Sequence, residues 1–256
     1  MTDRQGGAVV RVAVIGASGR MGRQTCDAVR GAADLELVAS IDRSGSVDDA
    51  VAAGAEVVVD FTTPGASPTL VGDAISRGLH VVVGTSGYDE ARLAQLRNTL
   101  SEHPGVGVVV APNFALGAVL LMRFAREAAP WFESVEIVEL HHPDKLDAPS
   151  GTATHTAQEI AAARRHAGLP AAPDATTTAA PGARGADVDG VPVHSVRLRG
   201  LVAHEEVLLG NVGEALTVRH DSFDRASFMP GVLLAVRTVG SRPGLTVGLE
   251  PLLELG

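Results

Sequence analysis

The run Gly16-Ala17-Ser18-Gly19-Arg20-Met21-Gly22 lies between a β-branched stretch, Val10 to Ile15, and a helical pattern from Met21 to Arg30. Glycines at i, i+3 and i+6 in that setting predict a strand, a tight turn and a helix in succession. The first two let the backbone turn and approach a pyrophosphate, and Gly22 lets helix and strand pack closely. The helix start then faces the phosphate charge. Glycine triplets arise by chance in a chain with 29 glycines, so the flanking strand and helix are what make this a dinucleotide-binding fingerprint. Gly16, Ala17, Ser18, Gly19, Arg20 and Met21 are candidate cofactor contacts.

Asp42 closes the next strand pattern about 20 residues further on, where an acid can hydrogen-bond the adenine ribose hydroxyls of NADH. Arg43 follows it, and with Arg20 it could pair with a 2′-phosphate, so NADH and NADPH both stay open. Ligands of open α/β sheets lie beyond the carboxyl ends of the strands. Gly84, Thr85 and Ser86 follow the fourth strand pattern and Ala111, Pro112, Asn113 and Phe114 the fifth, which makes both segments further cofactor candidates.

Short β-branched runs at 10–15, 35–41, 57–61, 80–83 and 106–110 alternate with helical patterns at 21–30, 68–77 and 89–100. That order predicts an α/β domain, a Rossmann-like parallel sheet with helices on both faces. The texture changes near Ala111-Pro112-Asn113. A helix at 118–129, a strand at 133–140, a helix from about Gly151 and strands at 193–198, 207–209 and 215–220 predict an α+β unit with an open mixed sheet. Residues 167–190, rich in Ala, Pro, Thr and Gly, are expected to be a long loop. A final helix at 224–239 and strand at 245–249 restore the first texture. The expected division is a discontinuous nucleotide domain, 1–112 with 222–256, around a substrate-binding and oligomerisation domain, 113–221.

A formal charge of −9 with 21 scattered basic residues disfavours a nucleic-acid partner. No segment approaches the roughly 20 apolar residues of a membrane span. The single cysteine, Cys26, falls on the apolar side of the first helix and reads as packing. A reducing, cytoplasmic setting is expected.

The chemistry concentrates in Glu139-Leu140-His141-His142-Pro143-Asp144-Lys145-Leu146-Asp147-Ala148-Pro149-Ser150-Gly151-Thr152-Ala153. Imidazole as a side-chain type can hand over a proton near neutral pH, which makes His141 a candidate acid/base, and Lys145 is a compact cation. Ser150, Gly151 and Thr152 begin a helix, whose free N–H groups and dipole suit a carboxylate. Asp147 and Pro149 are read as shaping the turn. A metal site is disfavoured, because Lys145 sits amid the potential ligands and no His-Glu-x-x-His helix is present. His204-Glu205-Glu206 is read as strand surface, and His220-Asp221 with Arg225 as hinge and packing contacts. Arg184 and Arg197 are left outside the site.

These segments, with Val83-Gly84-Thr85-Ser86-Gly87-Tyr88, Gly182-Ala183-Arg184-Gly185-Ala186-Asp187 and the His220-Asp221-Ser222 region, resemble the 4-hydroxy-tetrahydrodipicolinate reductases over nearly the whole chain. Ser86 departs from the second Thr of many members but keeps the hydroxyl. The resemblance implies NADH- or NADPH-dependent reduction, with loss of water, of a small dicarboxylate in lysine and diaminopimelate biosynthesis. It implies that His141 and Lys145 carry catalysis, that His142 contacts substrate beside Ser150, Gly151 and Thr152, and that four copies assemble. Which of His141 and Lys145 delivers the proton stays open, with His141 favoured as acid/base. Closure about hinges near Asn113 and Asp221 would bring nicotinamide to substrate. The competing functions are another two-domain dehydrogenase of amino-acid metabolism and a non-catalytic nicotinamide-binding module.

Overall fold

A computed structural model describes residues 9–254, so residues 1–8 and 255–256, the outermost ends of the expected nucleotide domain, lie outside the described residues. In chain order the first elements are β1 (Val10–Ile15), α1 (Arg20–Arg30), β2 (Leu35–Ile41), α2 (Val47–Ala52), β3 (Val57–Asp60) and α3 (Ser67–Ser76). Then come β4 (His80–Val83), α4 (Glu90–Ser101), β5 (Gly107–Val110), α5 (Leu116–Ala128), β6 (Ser134–His141) and α6 (Gly151–His166). The chain closes with β7 (Ala186–Val188), β8 (Val191–Arg197), β9 (Ala203–Asn211), β10 (Glu214–Ser222), α7 (Met229–Val239) and β11 (Gly244–Val247). Of the described residues, 9–115 with 225–254 form one compact unit and Leu116–Asp224 a second.

The first unit holds a six-stranded sheet in the order β11-β5-β4-β3-β1-β2. Its pairings are all parallel. Such a sheet is covered on both faces, which is why β3, β4 and β5 are nearly unbroken valine runs rather than alternating patterns. The chain steps from β1 to β2 on one side and to β3 on the other, and that reversal opens a crevice at the carboxyl end of β1. Helix α2 escaped the sequence analysis because six residues cannot display a 3.6-residue period. Its signal was local: Ser46 Oγ accepts from Asp48 N–H at 3.2 Å, and Asp49 Oδ2 accepts the Ser46 N–H at 2.8 Å. The helix expected over 224–239 is a 3₁₀ turn, Arg225–Phe228, followed by α7. Pro230 lies in the first turn of α7, where its missing N–H is no loss. Cys26 is buried, as its place on α1 predicts.

The second unit is a mixed five-stranded sheet, β10-β9-β6-β8-β7, parallel only between β6 and β8. One face is apolar, with Val135 and Ile137 of β6, Val193 of β8 and Val207 and Leu209 of β9 packed with Leu121 of α5 and Ile160 of α6. On β9 and β10, Leu208 and Leu216 are exposed. Strand β7 falls inside the segment expected to be a loop. It is paired to β8 through Asp189-Gly190, both at positive φ (54° and 88°), an Asp-Gly hairpin turn whose signal was overlooked.

Candidate active site

In the first unit the glycine loop is shaped by contacts that no side chain could share. Gly16 has φ +82°, and a Cβ there would lie 2.4 Å from the Phe61 carbonyl oxygen. A Cβ on Gly22 would lie 2.1 Å from the Gly16 carbonyl oxygen, so α1 packs directly on the turn. Among the described residues no side chain caps α1, which leaves the amides of its first turn for a ligand. Asp42 accepts the Ser18 N–H at 2.7 Å. Hydrogen bonding from Ser18 holds the Asp42 carboxyl below the usual carboxylate range.

A cavity of about 800 Å³ opens beside this loop, lined by Gly16, Ser18, Gly19, Asp42 and Arg43 together with Phe61 to Thr63. Ala17 is buried beneath it, while Arg20 and Met21 start α1 outside its lining. Gly84 admits the Phe61 ring, which would meet a Cβ there at 2.1 Å. Thr85 is buried with its hydroxyl 3.4 Å from the Asp60 carbonyl, and Ser86 is exposed. Phe114 meets Phe61 edge-on at 5.9 Å between ring centres. Asn113 accepts the Ala115 N–H at 2.9 Å; Ala111 is buried and Pro112 exposed. The Phe61-Thr62-Thr63 segment was missed, although it is the carboxyl end of β3, the strand beside β1 where the crevice opens.

In the second unit, β6 ends at His141 and α6 begins at Gly151, and the turn between them carries the charged side chains. On the helix-covered face, Ile137 lies level with Val193 and Val207, and Glu139 level with Ser195 and Glu205. His141 lies level with Arg197. The apolar stripe of β6 therefore runs on into a polar layer. Glu139 is fully buried. Arg197 grips it in a fork, Nη1 to Oε2 and Nη2 to Oε1, each at 2.8 Å. His141 Nδ1 lies 2.5 Å from Oε2, and the Ser150 N–H donates to Oε1 at 3.2 Å. Burial pushes the Glu139 carboxyl up, but hydrogen bonds from His141, Arg197 and Ser195 outweigh it and bring it down to about 2.

Lys145 Nζ donates to Asp147 Oδ1 at 2.8 Å, and Asp147 Oδ2 accepts the Gly151 N–H at 3.2 Å. The Lys145 hydrogen bond holds the Asp147 carboxyl below its ordinary range. One internal carboxylate thus bridges the ammonium and the helix amide expected to hold a substrate carboxylate. Ser150 faces inward, its Oγ capping α6 through the Ala153 N–H at 3.1 Å. Gly151 is exposed, and Thr152 and His142 are half-buried nearby.

Three residues were underrated. Arg197, left outside the site, is bonded to the buried Glu139 beside His141. His204 and Glu205, read as strand surface, are buried because β9 pairs on both sides and turns Glu205 toward α6. His204 is satisfied at both ring nitrogens, by Asp221 at 2.7 Å and by the Val202 N–H at 3.2 Å. Arg184 ties the 167–185 loop to the sheet through Asp174 and Glu136. Among the described residues no group of three or more His, Cys, Asp or Glu side chains could hold a metal ion.

Two family models match: "Dihydrodipicolinate reductase, N-terminus" over residues 10–114 and "Dihydrodipicolinate reductase, C-terminus" over residues 117–253. A 4-hydroxy-tetrahydrodipicolinate reductase of Nocardia farcinica is 59% identical over 246 residues, 96% of this chain and 99% of the relative. One from Cutibacterium acnes is 60% identical over 247 residues, covering 96% and 100%. Among solved structures, a dipicolinate-bound dihydrodipicolinate reductase from Paenisporosarcina sp. TG-14 superposes with a TM-score of 0.85 at 36% identity, covering 96% of this chain and 100% of its own.

Proposed function

The chain belongs to the dihydrodipicolinate reductase family, and we propose that it reduces 4-hydroxy-tetrahydrodipicolinate, with loss of water, to tetrahydrodipicolinate at the expense of NADH or NADPH. The observation that carries this is the meeting of imidazole, ammonium and helix amide between β6 and α6, beside a buried Glu–Arg pair. The unit of residues 9–115 and 225–254 holds the nucleotide, and the unit of 116–224 holds the dicarboxylate.

The cofactor fits the first unit because Gly16 and Gly22 let the turn pack directly against Phe61 and α1, whose first-turn amides carry no side-chain cap and suit a pyrophosphate. Gly16, Ser18 and Gly19 line the phosphate seat, Ala17 supports it from beneath and Arg20 and Met21 present the first amides of α1, while Asp42 and Arg43 read the adenine ribose and 84–86 and 111–114 complete the site. Bound there, the reduced nicotinamide supplies hydride.

Charge that develops on the substrate ring must be met by a proton and fixed positive charge. His141 gives the proton and Lys145 stabilises the charge. A substrate carboxylate takes over the hydrogen bonds that Asp147 makes to Lys145 and Gly151, an exchange of one carboxylate for another that leaves no donor unpaired. Thr152 and His142 complete its grip, with Ser150 supporting the helix start. The sheet face opposite the helices, which carries the exposed Leu208, is covered in a homotetramer. No helix among the described residues is long and apolar enough to cross a membrane, and a cytoplasmic location suits a free Cys26.

The test supplies freshly generated 4-hydroxy-tetrahydrodipicolinate and follows loss of reduced-cofactor absorbance. His141→Ala and Lys145→Ala should each lower kcat at least a hundredfold, on the order expected for a lost acid or charge partner, with cofactor affinity unchanged. Wild-type protein that binds cofactor but oxidises none of it with this substrate overturns the assignment.

A further inference from the structure

We propose that Glu139 is a positioning residue for the reduction: its carboxylate accepts the Nδ1–H of His141 and so leaves Nε2 as the ring nitrogen that gives the proton away. This rests on the reading of His141 as proton donor, and it adds a residue that acts through that imidazole rather than on the substrate.

Strand β6 carries an anomaly. Val135, Ile137, Glu139 and His141 share one face of the strand, and the first two are core residues. A third apolar side chain would extend that core at no electrostatic cost, whereas a fully buried carboxylate must be paired to be tolerated. Beside the Ser195 hydrogen bond, four further bonds pair it here. Oε1 accepts from Arg197 Nη2 and the Ser150 N–H, and Oε2 accepts from Arg197 Nη1 and His141 Nδ1. Arg197 and Ser150 together stop the carboxylate from rotating, so the imidazole hydrogen-bonds a fixed acceptor. A fixed acceptor selects one tautomer and one ring orientation.

The same bonds keep the proton on the imidazole. Two guanidinium donors and a backbone amide hold Glu139 ionised, which is consistent with a carboxyl brought down to about 2. The facing residue of β9, Glu205, does not compete for these donors. Thr156 Oγ1 of the facing helix donates to the Thr152 carbonyl at 3.0 Å, and burial is the largest influence on Glu205, favouring its neutral form. Burial pushes the Glu205 carboxyl up to about 7. Below pH 7 the layer then carries one negative charge, on Glu139, facing one guanidinium and one imidazole.

A carboxylate kept only to anchor Arg197 would be indifferent to the imidazole, and the experiment separates the two roles. Long-range 1H–15N correlation spectra of the full-length protein labelled with 15N-histidine, with His141 assigned by difference from His141→Ala, should show the neutral ring protonated on Nδ1. A neutral ring protonated on Nε2 overturns the proposal, and this holds even if variants of Glu139 fail to fold. In kinetics, Glu139→Gln should lower kcat on the order of a hundredfold, leave the cofactor Kd unchanged and have no further effect in the His141→Ala background. An equal loss in both backgrounds assigns Glu139 to the fold alone and overturns the proposal. If instead His141→Ala retains full kcat, the proton-donor reading itself fails, an outcome distinct from either of these.

Discussion

Replacing Glu205 by glutamine should stabilise the protein, and by an amount that grows with pH. In the unfolded chain this carboxyl titrates near its ordinary value of 4.5; in the fold, burial holds it protonated to about 7. The raised value means that the group's contribution is fully present below pH 4.5 and is lost as pH rises to about 7, because the unfolded state releases its proton first. The difference, 7 − 4.5, is about 2.5 pKa units, or roughly 3 kcal/mol at ~1.4 kcal/mol per unit. Glutamine keeps the size and a polar head beside Thr156, without the titration. Urea unfolding at pH 5 and pH 8 measures the effect. The advantage of Glu205→Gln should grow by about 2 to 3 kcal/mol between the two, with an unchanged m-value. An advantage that is the same at both pH values would refute the claim that this carboxyl is neutral in the fold.

Acid stability tests the neighbouring carboxylate in the opposite sense. Glu139, brought down to about 2, contributes stability present above pH 4.5 and lost as pH falls toward 2, so Glu139→Gln should flatten the acid limb of a stability–pH curve measured by urea midpoints. Gly22→Ala should weaken NADH binding at least tenfold in a fluorescence titration, since its Cβ would lie 2.1 Å from a backbone oxygen and force the loop open, on the order of 1–3 kcal/mol; unaltered binding would remove the loop from the cofactor site. Comparing kcat/KM for NADH and NADPH, Asp42→Ala should lose ground chiefly with NADH and Arg43→Ala with NADPH, and indifference to both removes the pair from cofactor choice. Ser150→Ala should lower stability by about 1 kcal/mol in urea unfolding by uncapping α6.

The parallel sheet was legible because its strands advertise burial on both faces: 57–59 and 81–83 are valine throughout, and each run is followed by a helical period. Elements too short to show a period were not. α2 has one capping signal, and β7 hides in a segment whose composition suits a loop, betrayed only by Asp189-Gly190. At the β6–α6 turn the residue types that could move a proton or hold an anion were visible because they are contiguous. Their supports were not, since Arg197 reaches Glu139 across 58 residues of chain. A trace did exist in Val135, Ile137 and Glu139, where an acid continues an apolar stripe, and a glutamate in that register needs a partner wherever the partner lies in sequence. Glu205 was misjudged for the same reason, as an isolated strand looks half-solvated until a neighbour on each side is known.

The order β11-β5-β4 has a consequence for how the protein is made. On the ribosome, β5 emerges well over a hundred residues before the strand that will flank it. Through that interval the Gly107–Val110 backbone presents an unsatisfied hydrogen-bonding rim of valines, the kind of edge that recruits other chains. The nascent nucleotide sheet must therefore be shielded until translation delivers residues 244–247, and any stall inside the second unit leaves an adhesive intermediate rather than a smaller stable domain.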